Sequence, residues 1–348
     1  MNHAQWEQLL AVLEGQSVDP LPIGFIVDSP WLPPWAGMST LDYYASERLW
    51  LEANLKAIRA FPDVWFLPGF WSEYGMCTEP SAFGARCVWH ENELPFADKT
   101  IRSDGGLVSA ADLEQVAQPN PRTDGLLPLV LKRLVHAQPA IQAEGHAIRF
   151  AVARGPLNIA SFLMGATELM VALKLEPAAC HKLLTTITAF LVDWLQVQKQ
   201  EIGTIDGILV LDDLMGFLGD EDFREFAFPY LKQCFGAVDA TVRFFHNDAN
   251  GSVCAPHLAA AGVNLFNFAF QHSLGDMRRL LGPEVTMLGN IPPRDVLALG
   301  TPQDVRQAAR AALAGLSDKR RLVFSCGGGI PPGVSTENLR AFIDAARE

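Results

Sequence analysis

The chain has 348 residues, of which 49% are hydrophobic and 19% are charged, with a formal net charge of −12. An acidic chain without clustered Lys and Arg is not expected to bind DNA or RNA, because phosphate binding needs such clusters. No apolar run approaches the roughly 18 residues of a membrane-spanning helix, and the N-terminus does not have the pattern of a secretory signal. Six scattered cysteines without a C-x-x-C pair predict a cytoplasmic protein with reduced thiols.

Short apolar runs rich in β-branched residues alternate with helical patterns along the whole chain. Strands are predicted at 22–29, 64–70, 147–155, 206–213, 241–248, 262–269, 285–291 and 321–329. Helices are predicted at about 41–60, 160–172, 176–202, 220–239, 253–261, 273–281, 302–316 and 335–347. This alternation is typical of a parallel sheet, and eight strands favour a (β/α)8 TIM barrel over an open sheet. We therefore expect one α/β domain spanning 1–348.

Residues 72–146 interrupt the alternation and are predicted to be an insertion between the second and third barrel strands. The segment CVWHENELPFADKTI reads as a short hairpin or edge strand, and AQPNPRTDGLLP reads as a Pro-rich loop.

Polar residues stand at the ends of nearly all the predicted strands. They are Asp28, Arg154, Asp212, Asp213, His246, Asn247, Asp248, Asn267, Asn290 and Cys326. In a TIM barrel the chemistry lies at the carboxyl ends of the strands, so these residues predict one concave polar site.

His246 and Asp248 stand two residues apart, so in strand geometry they point the same way. Both could bind one cation, or the carboxylate could set the imidazole tautomer; an Asx turn is the structural alternative. Asp212 and Asp213 point to opposite sides, and we assign the catalytic role to Asp212. Arg154 either binds an anionic group of a substrate or pairs with an acidic strand end.

The remaining polar and aromatic candidates are predicted to bind substrate: Asp28, Trp31, Phe70, Asn247, Asn290 and Gly328. The two aromatic residues, Trp31 and Phe70, either line a pocket or only cover the barrel mouth. Gly328 lies in SCGGGIPPG, where glycine lets the backbone approach a ligand closely. Cys326, in the same segment, is either a thiolate ligand or a small buried thiol.

Several motifs occur in one order that resembles the uroporphyrinogen decarboxylase superfamily. They are ARGPLNIASFLMG, GILVLDDLMGFLGDEDFREFAFPYLK, HNDAN, GNIPPRDVLALGTPQDV and SCGGGIPPGVSTENLRAFIDAARE. The superfamily also contains zinc-dependent methyltransferases that serve corrinoid proteins and coenzyme M. The resemblance covers roughly 145–348 well, and it implies the same (β/α)8 fold.

Within that superfamily the chain is closer to the methyltransferase branch. FIVDSPWLPPWAG has no Arg where the decarboxylases carry substrate-binding cations. The methyltransferases show a His-x-Cys after the fifth strand and a second Cys in the late Gly-rich turn. His246 matches that His, whereas Asp248 and Gly328 stand where the two cysteines are expected. The resemblance then implies zinc on His246 and Asp248, with Cys326 or a carboxylate such as Glu79.

The sequence therefore favours an enzyme that moves a methyl group between a small substrate and a corrinoid. No corrinoid-binding domain is visible, so the corrinoid is expected on a separate protein. Two alternatives stay open: a decarboxylase, which would need cations such as Arg154 and Arg86, and a non-catalytic barrel that binds a ligand. The sequence also leaves a homodimer open.

Overall fold

The computed structural model describes residues 1–27, 29–102 and 107–348. All eight predicted strands are present in one parallel sheet, and a two-stranded antiparallel hairpin lies outside it. The strands are β1 (Ile23–Ile26), β2 (Val64–Leu67), β3 (Arg86–Val88), β4 (Phe96–Asp98), β5 (Phe150–Arg154), β6 (Gly207–Leu211), β7 (Val242–Asn247), β8 (Leu265–Phe268), β9 (Thr286–Ile291) and β10 (Leu322–Cys326).

Helices follow most of the strands and cover the outside of the sheet. They are α1 (His3–Leu13), α2 (Leu32–Ala36), α3 (Thr40–Ala45), α4 (Glu47–Ala60), α5 (Thr78–Ala82), α6 (Ala110–Glu114), α7 (Leu127–Ala143), α8 (Pro156–Met164), α9 (Ala166–Leu175), α10 (Pro177–Glu201), α11 (Asp220–Asp222), α12 (Phe228–Ala237), α13 (Leu274–Leu281), α14 (Pro302–Ala314) and α15 (Thr336–Arg347). Short 3-10 turns occupy Asp213–Phe217 and Ala255–His257, and π-helical turns occupy Phe223–Ala227 and Pro293–Ala298.

The sheet order is β2-β1-β10-β9-β8-β7-β6-β5, which is the strand order of a TIM barrel. Inward side chains from all eight strands meet in a single apolar cluster, so the sheet curls around its own interior. Among the described residues no pairing joins β2 to β5, so the hydrogen-bonded ladder stays open there. The barrel prediction is thus confirmed as an eight-stranded, curled parallel sheet of TIM-like architecture, without hydrogen-bonded closure.

The predicted insertion lies at that opening, because β3, β4 and helices α5 to α7 all fall between β2 and β5. The hairpin prediction is confirmed: Cys87 of β3 pairs with Ala97 of β4 in antiparallel register.

Helix α1 covers the amino ends of the strands. It begins with a capping box in which Asn2 and Gln5 satisfy each other's backbone N–H groups. Trp6 packs edge-on against Phe150, the first residue of β5, with ring centroids 5.6 Å apart. One end of the curled sheet is therefore filled by apolar side chains, which leaves the carboxyl ends of the strands for polar groups.

No single described helix is long and apolar enough to cross a membrane. Helices α8 and α9 meet the length and composition requirement only as a pair, and they are bent by 106° at their junction.

Candidate active site

His246 lies near the end of β7 and continues the inward-facing row that contains Phe244. Its Nδ1 is 2.8 Å from Asn267 Oδ1, and both side chains are buried. Asn267 Nδ2 donates to Leu288 O at 2.8 Å and to Cys326 O at 3.4 Å. Because the amide nitrogen already faces two carbonyls, the amide oxygen must accept from His246 Nδ1. The lone pair of a neutral His246 is therefore on Nε2.

The carboxylates of Asp213 and Asp248 lie close to the imidazole, and that of Asp213 is on its Nε2 side. Asp213 Oδ1 is 3.7 Å from His246 Nε2 and accepts a hydrogen bond from Asp248 N at 3.0 Å. One nitrogen of His246 and one oxygen each of Asp213 and Asp248 all lie within 4.8 Å of one another. We call these three residues the Asp–His–Asp group.

Burial raises the pKa of the Asp213 carboxyl group. The positive charge of protonated His246 opposes this shift, and the nearby carboxylate of Asp248 adds to it. A cation bound between the carboxylates of Asp213 and Asp248 would favour their ionised forms, because its positive charge offsets their mutual repulsion.

The donor atoms of the Asp–His–Asp group fit a divalent metal ion. A tetrahedral ion that binds its ligands at about 2.0–2.2 Å separates them by roughly 3.3–3.6 Å. The distance between His246 Nε2 and Asp213 Oδ1, 3.7 Å, is close to this value, and all three donor atoms lie within 4.8 Å of one another, so a bound ion would draw them together. Imidazole nitrogen and carboxylate oxygen are both zinc ligands, and three protein ligands leave a fourth position for substrate.

Gly328 shapes the group from the facing loop. Its φ is +89°, a left-handed conformation that favours glycine, and a Cβ there would lie 3.1 Å from Asp248 Oδ2. The residue predicted to bind substrate is therefore placed against Asp248, and its missing side chain leaves space at that carboxylate.

Asp212 points to the other side of β6 and lies outside the Asp–His–Asp group. Its carboxylate is fully buried, and Oδ2 accepts from Leu157 N at 2.8 Å, in the first turn of α8. Burial is the largest cause that raises the pKa of Asp212 to about 8, although backbone N–H donors oppose the shift. Gly155 leaves room for this contact, because a Cβ there would lie 2.4 Å from Asp212 Oδ2. Asp212, which the sequence predicted to be catalytic, therefore accepts a hydrogen bond at the amino end of α8 and is not part of the Asp–His–Asp group.

Arg154 ends β5, and its guanidinium lies between two buried glutamates. Nη2 is 2.9 Å from Glu73 Oε2, and Nη1 is 3.2 Å from Glu79 Oε2. Ser29 Oγ donates to Glu73 at 2.7 Å, and Tyr44 OH donates to Ser29 Oγ at 2.5 Å. Burial opposes the charged guanidinium, but the two carboxylates outweigh it and raise the pKa of Arg154 above its usual range. Arg154 is thus held by carboxylates of this chain.

Of the four sequence-predicted metal ligands, the structure brings together His246 and Asp248. Cys326 Sγ instead points to Gly328 O at 3.6 Å. Glu79 forms an ion pair with the side chain of Arg154, and the backbone N–H of Arg154 also donates to Glu79 Oε1 at 3.1 Å. Neither Cys326 nor Glu79 belongs to the Asp–His–Asp group.

The two aromatic residues predicted to bind substrate are buried in contacts of their own. Trp31 Nε1 donates to Val334 O at 3.0 Å. Phe70 packs near Trp50 and His146, with ring centroids 6.4 Å and 6.2 Å away. Both side chains therefore contribute to the packed core around the barrel.

The two asparagines predicted to bind substrate are also buried. Asn247 Oδ1 accepts from Ala249 N at 2.9 Å, which makes an Asx turn after β7. Asn290 Nδ2 donates to Ala269 O at 3.4 Å and thus ties β9 to the loop after β8. The sixth residue predicted to bind substrate, Asp28, lies outside the described residues.

The comparisons with known proteins agree with this architecture. A uroporphyrinogen decarboxylase from Pseudoalteromonas translucida (strain TAC 125) is 24% identical, and the match covers 100% of this chain and 98% of that protein. Another from Serratia proteamaculans (strain 568) is 25% identical, covering 99% and 97%. A solved structure described as a methyltransferase from Methanosarcina mazei shares the fold, with a TM-score of 0.80, 20% identity and 97% of each chain covered.

A family model described as Uroporphyrinogen decarboxylase (URO-D) matches residues 4–348, which is nearly the entire chain. The family resemblance expected from the motifs is therefore confirmed, and the chain belongs to the uroporphyrinogen decarboxylase (URO-D) family.

Proposed function

We propose that this chain is a methyltransferase-type enzyme that moves a methyl group between a small substrate and a corrinoid carried by a separate protein. The observation that supports this best is the Asp–His–Asp group at the carboxyl ends of the strands. Its three donor atoms can hold a divalent metal, for which we propose zinc, and leave a position for substrate. The fold shared with a Methanosarcina mazei methyltransferase is consistent with the proposal.

Each residue near the group has a separate task in this proposal. Asn267 holds the proton of His246 on Nδ1, so that Nε2 presents its lone pair. The backbone N–H of Asp248 orients the carboxylate of Asp213 by donating to Oδ1. Gly328 keeps the space beside Asp248 open for an incoming group. When bound, zinc would supply Lewis acidity that favours the ionised form of a substrate thiol or alcohol.

Decarboxylation of a uroporphyrinogen-like substrate is the second candidate, and the names of the sequence relatives favour it. A polycarboxylate substrate requires cations that can pair with it. Arg154 is already held by Glu73 and Glu79. Arg86 pairs with Asp98 at 3.3 Å on the exposed hairpin. Both cations that the sequence offered for this role are engaged, so the charge distribution supports methyl transfer over decarboxylation.

The first experiment is the zinc content of the purified protein after zinc is supplied and excess zinc is removed. We expect about one zinc per chain in the wild type, and a loss in His246→Ala and Asp213→Asn. Asp212→Asn is the matched control, because it changes the neighbouring carboxylate outside the Asp–His–Asp group. Zinc retained by all the variants would contradict the metal site.

The second experiment measures transfer of the methyl group from methylcobalamin to small thiols, read from the change in corrinoid absorbance. We expect activity in the wild type and loss in His246→Ala. Equal activity in His246→Ala would refute the proposed role of the group. Turnover of uroporphyrinogen without methyl transfer would favour the decarboxylase instead.

A further inference from the structure

A surface cavity of about 470 Å³ lies at the amino ends of the strands, away from the Asp–His–Asp group. Three arginines line it: Arg278 in α13, and Arg320 and Arg321 directly before β10. The fold brings them together, because Arg278 precedes Arg320 by 42 residues in the chain. Their positive charges are thus concentrated in one cavity of a chain whose net charge is −12.

Two of the guanidinium groups are held on one side by backbone carbonyls. Arg278 Nη2 donates to Arg320 O at 2.7 Å and to Arg321 O at 3.4 Å. Arg321 Nη1 donates to Glu284 O at 3.0 Å and also to Leu13 O. Carbonyl acceptors fix the direction of a guanidinium group without neutralising its charge. Both side chains are therefore positioned before any ligand binds.

The same two guanidinium groups keep donors that no protein atom uses. A guanidinium group has five N–H donors, and these hydrogen bonds engage only Nη2 of Arg278 and Nη1 of Arg321. Arg278 Nε is buried, and it has no hydrogen-bond partner among the residues that the structure describes. In that part of the chain no carboxylate forms an ion pair with Arg278 or Arg321 either. Both groups can therefore still bind an anion.

Two carboxylates also line the cavity, but they do not neutralise it. Asp318 pairs with Arg320, with Arg320 Nη2 2.8 Å from Asp318 Oδ2. Glu14 Oε2 accepts a hydrogen bond from Gln16 Nε2 at 2.9 Å. Three positive charges thus face two negative ones, and the two arginines held by carbonyls stay unpaired.

The electrostatic balance at Arg278 agrees with this geometry. Burial is the largest cause that lowers the pKa of Arg278. Asp318 opposes the shift, whereas the positive charges of Arg321 and Arg320 add to it. The three guanidinium groups therefore repel one another, and a bound anion would relieve this repulsion.

The backbone around Arg321 favours a fixed side chain. Its φ is +52°, a left-handed conformation that is uncommon for residues other than glycine. Gly15 lies against the guanidinium group, because a Cβ at Gly15 would be 3.2 Å from Arg321 Nε. Backbone strain of this kind is often found at ligand sites.

We propose that this cavity binds a phosphate group, either as inorganic phosphate or as part of a small phosphorylated molecule. A phosphate group carries a charge of about −1.5 to −2 near pH 7, together with three acceptor oxygens. It can therefore use several guanidinium groups at once, whereas one arginine is enough to pair with a carboxylate. Chemistry in this fold occurs at the carboxyl ends of the strands, so the phosphate is a bound ligand and not a reacting group.

The test is a calorimetric titration of the purified protein with inorganic phosphate near neutral pH, with sodium chloride holding the ionic strength constant. Glycerol 3-phosphate and acetate are titrated in parallel. We expect saturable binding of one phosphate per chain and much weaker binding of acetate. Stronger binding of glycerol 3-phosphate would identify a phosphorylated small molecule as the ligand, and stronger binding of inorganic phosphate would identify the free ion.

Arg320→Glu and Arg279→Glu are a matched pair of variants. Both arginines are exposed and pair with an aspartate, Asp318 or Asp276, so both changes alter the net charge equally and leave the core intact. Only Arg320 lines the cavity. We expect Arg320→Glu to weaken phosphate binding by about 10-fold or more, because it reverses a charge inside the site, and Arg279→Glu to change it by less than about 2-fold.

Three results would overturn the proposal: no saturable phosphate binding by the wild type, acetate bound as tightly as phosphate, or equal weakening in the two variants. The phosphate site does not depend on the proposed methyl transfer. His246→Ala, which removes a residue of the Asp–His–Asp group, should bind phosphate as the wild type does, so the two proposals fail independently.

Discussion

The buried amide of Asn267 provides a sharp test of the metal site, because it touches the imidazole without being a ligand. Replacing Asn267 by Leu removes the 2.8 Å contact with His246 Nδ1 and keeps a buried side chain of similar size. The imidazole can then rotate or place its proton on Nε2, and both changes compete with metal binding.

The size of the effect follows from the contact that is lost. One intramolecular hydrogen bond contributes about 0.5–1.5 kcal/mol net, which corresponds to roughly 2- to 12-fold in affinity. Loss of a partner that orients a ligating His typically weakens metal binding about 10- to 100-fold. We expect Asn267→Leu to weaken zinc binding by about 10-fold, where the two ranges meet.

Asn338 offers a matched control. It is also buried, and its Nδ2 donates to Leu297 O at 2.8 Å and to Gly300 O at 2.9 Å, just as Asn267 Nδ2 donates to two carbonyls. Asn338→Leu should therefore lower the free energy of unfolding about as much as Asn267→Leu does, but it should not change zinc affinity. Zinc affinity is measured by competition with a chromophoric chelator, and unfolding by urea titration. Equal zinc affinities in Asn267→Leu and Asn338→Leu would refute the reasoning.

Two further predictions concern buried charge. Arg154→Met should lower the free energy of unfolding by about 3–5 kcal/mol, because it leaves Glu73 and Glu79 buried without their cation. Arg86→Met, which breaks an exposed pair, should cost about 0–1 kcal/mol in the same urea titration, and similar losses would contradict this. The pKa of Asp212 is raised from 3.8 to about 8, so the folded state binds this proton more tightly than the unfolded state. The wild type should then lose stability relative to Asp212→Asn as pH rises from about 4 to about 8, and parallel melting-temperature profiles would show that Asp212 is ionised in the fold.

The strands could be predicted from the sequence because their apolar runs are short, regular and separated by helical patterns. All eight predicted sheet strands contain the strand that the structure has, and the predicted hairpin is β3 with β4. Closure of the barrel could not be predicted in the same way. Whether β2 and β5 pair depends on how the long insertion between them packs, and strand periodicity carries no information on that.

The choice between Asp212 and Asp213 shows where sequence reasoning ends. The strand GILVL before them is apolar at every position, so alternation alone does not tell which face is inward. The structure puts Leu209 in the interior cluster, and Asp213 continues that row while Asp212 faces helix α8. Asn267 was visible as a polar strand end, but its contact with His246 joins two strands and could not be read from either one.

The charges at the carboxyl ends of the strands separate the two candidate activities more clearly than overall similarity does. A polyanionic substrate needs unpaired cations, and Arg154 is enclosed by two glutamates with only 11% of its side chain exposed. A metal ion needs several donor atoms with available lone pairs close together, and the Asp–His–Asp group supplies an imidazole nitrogen near two carboxylates. At 24–25% identity, proteins of the same fold can differ in whether they carry substrate-binding cations or a metal-binding group. The local charge pattern, which repels polycarboxylates and attracts cations, is therefore the stronger guide to the reaction.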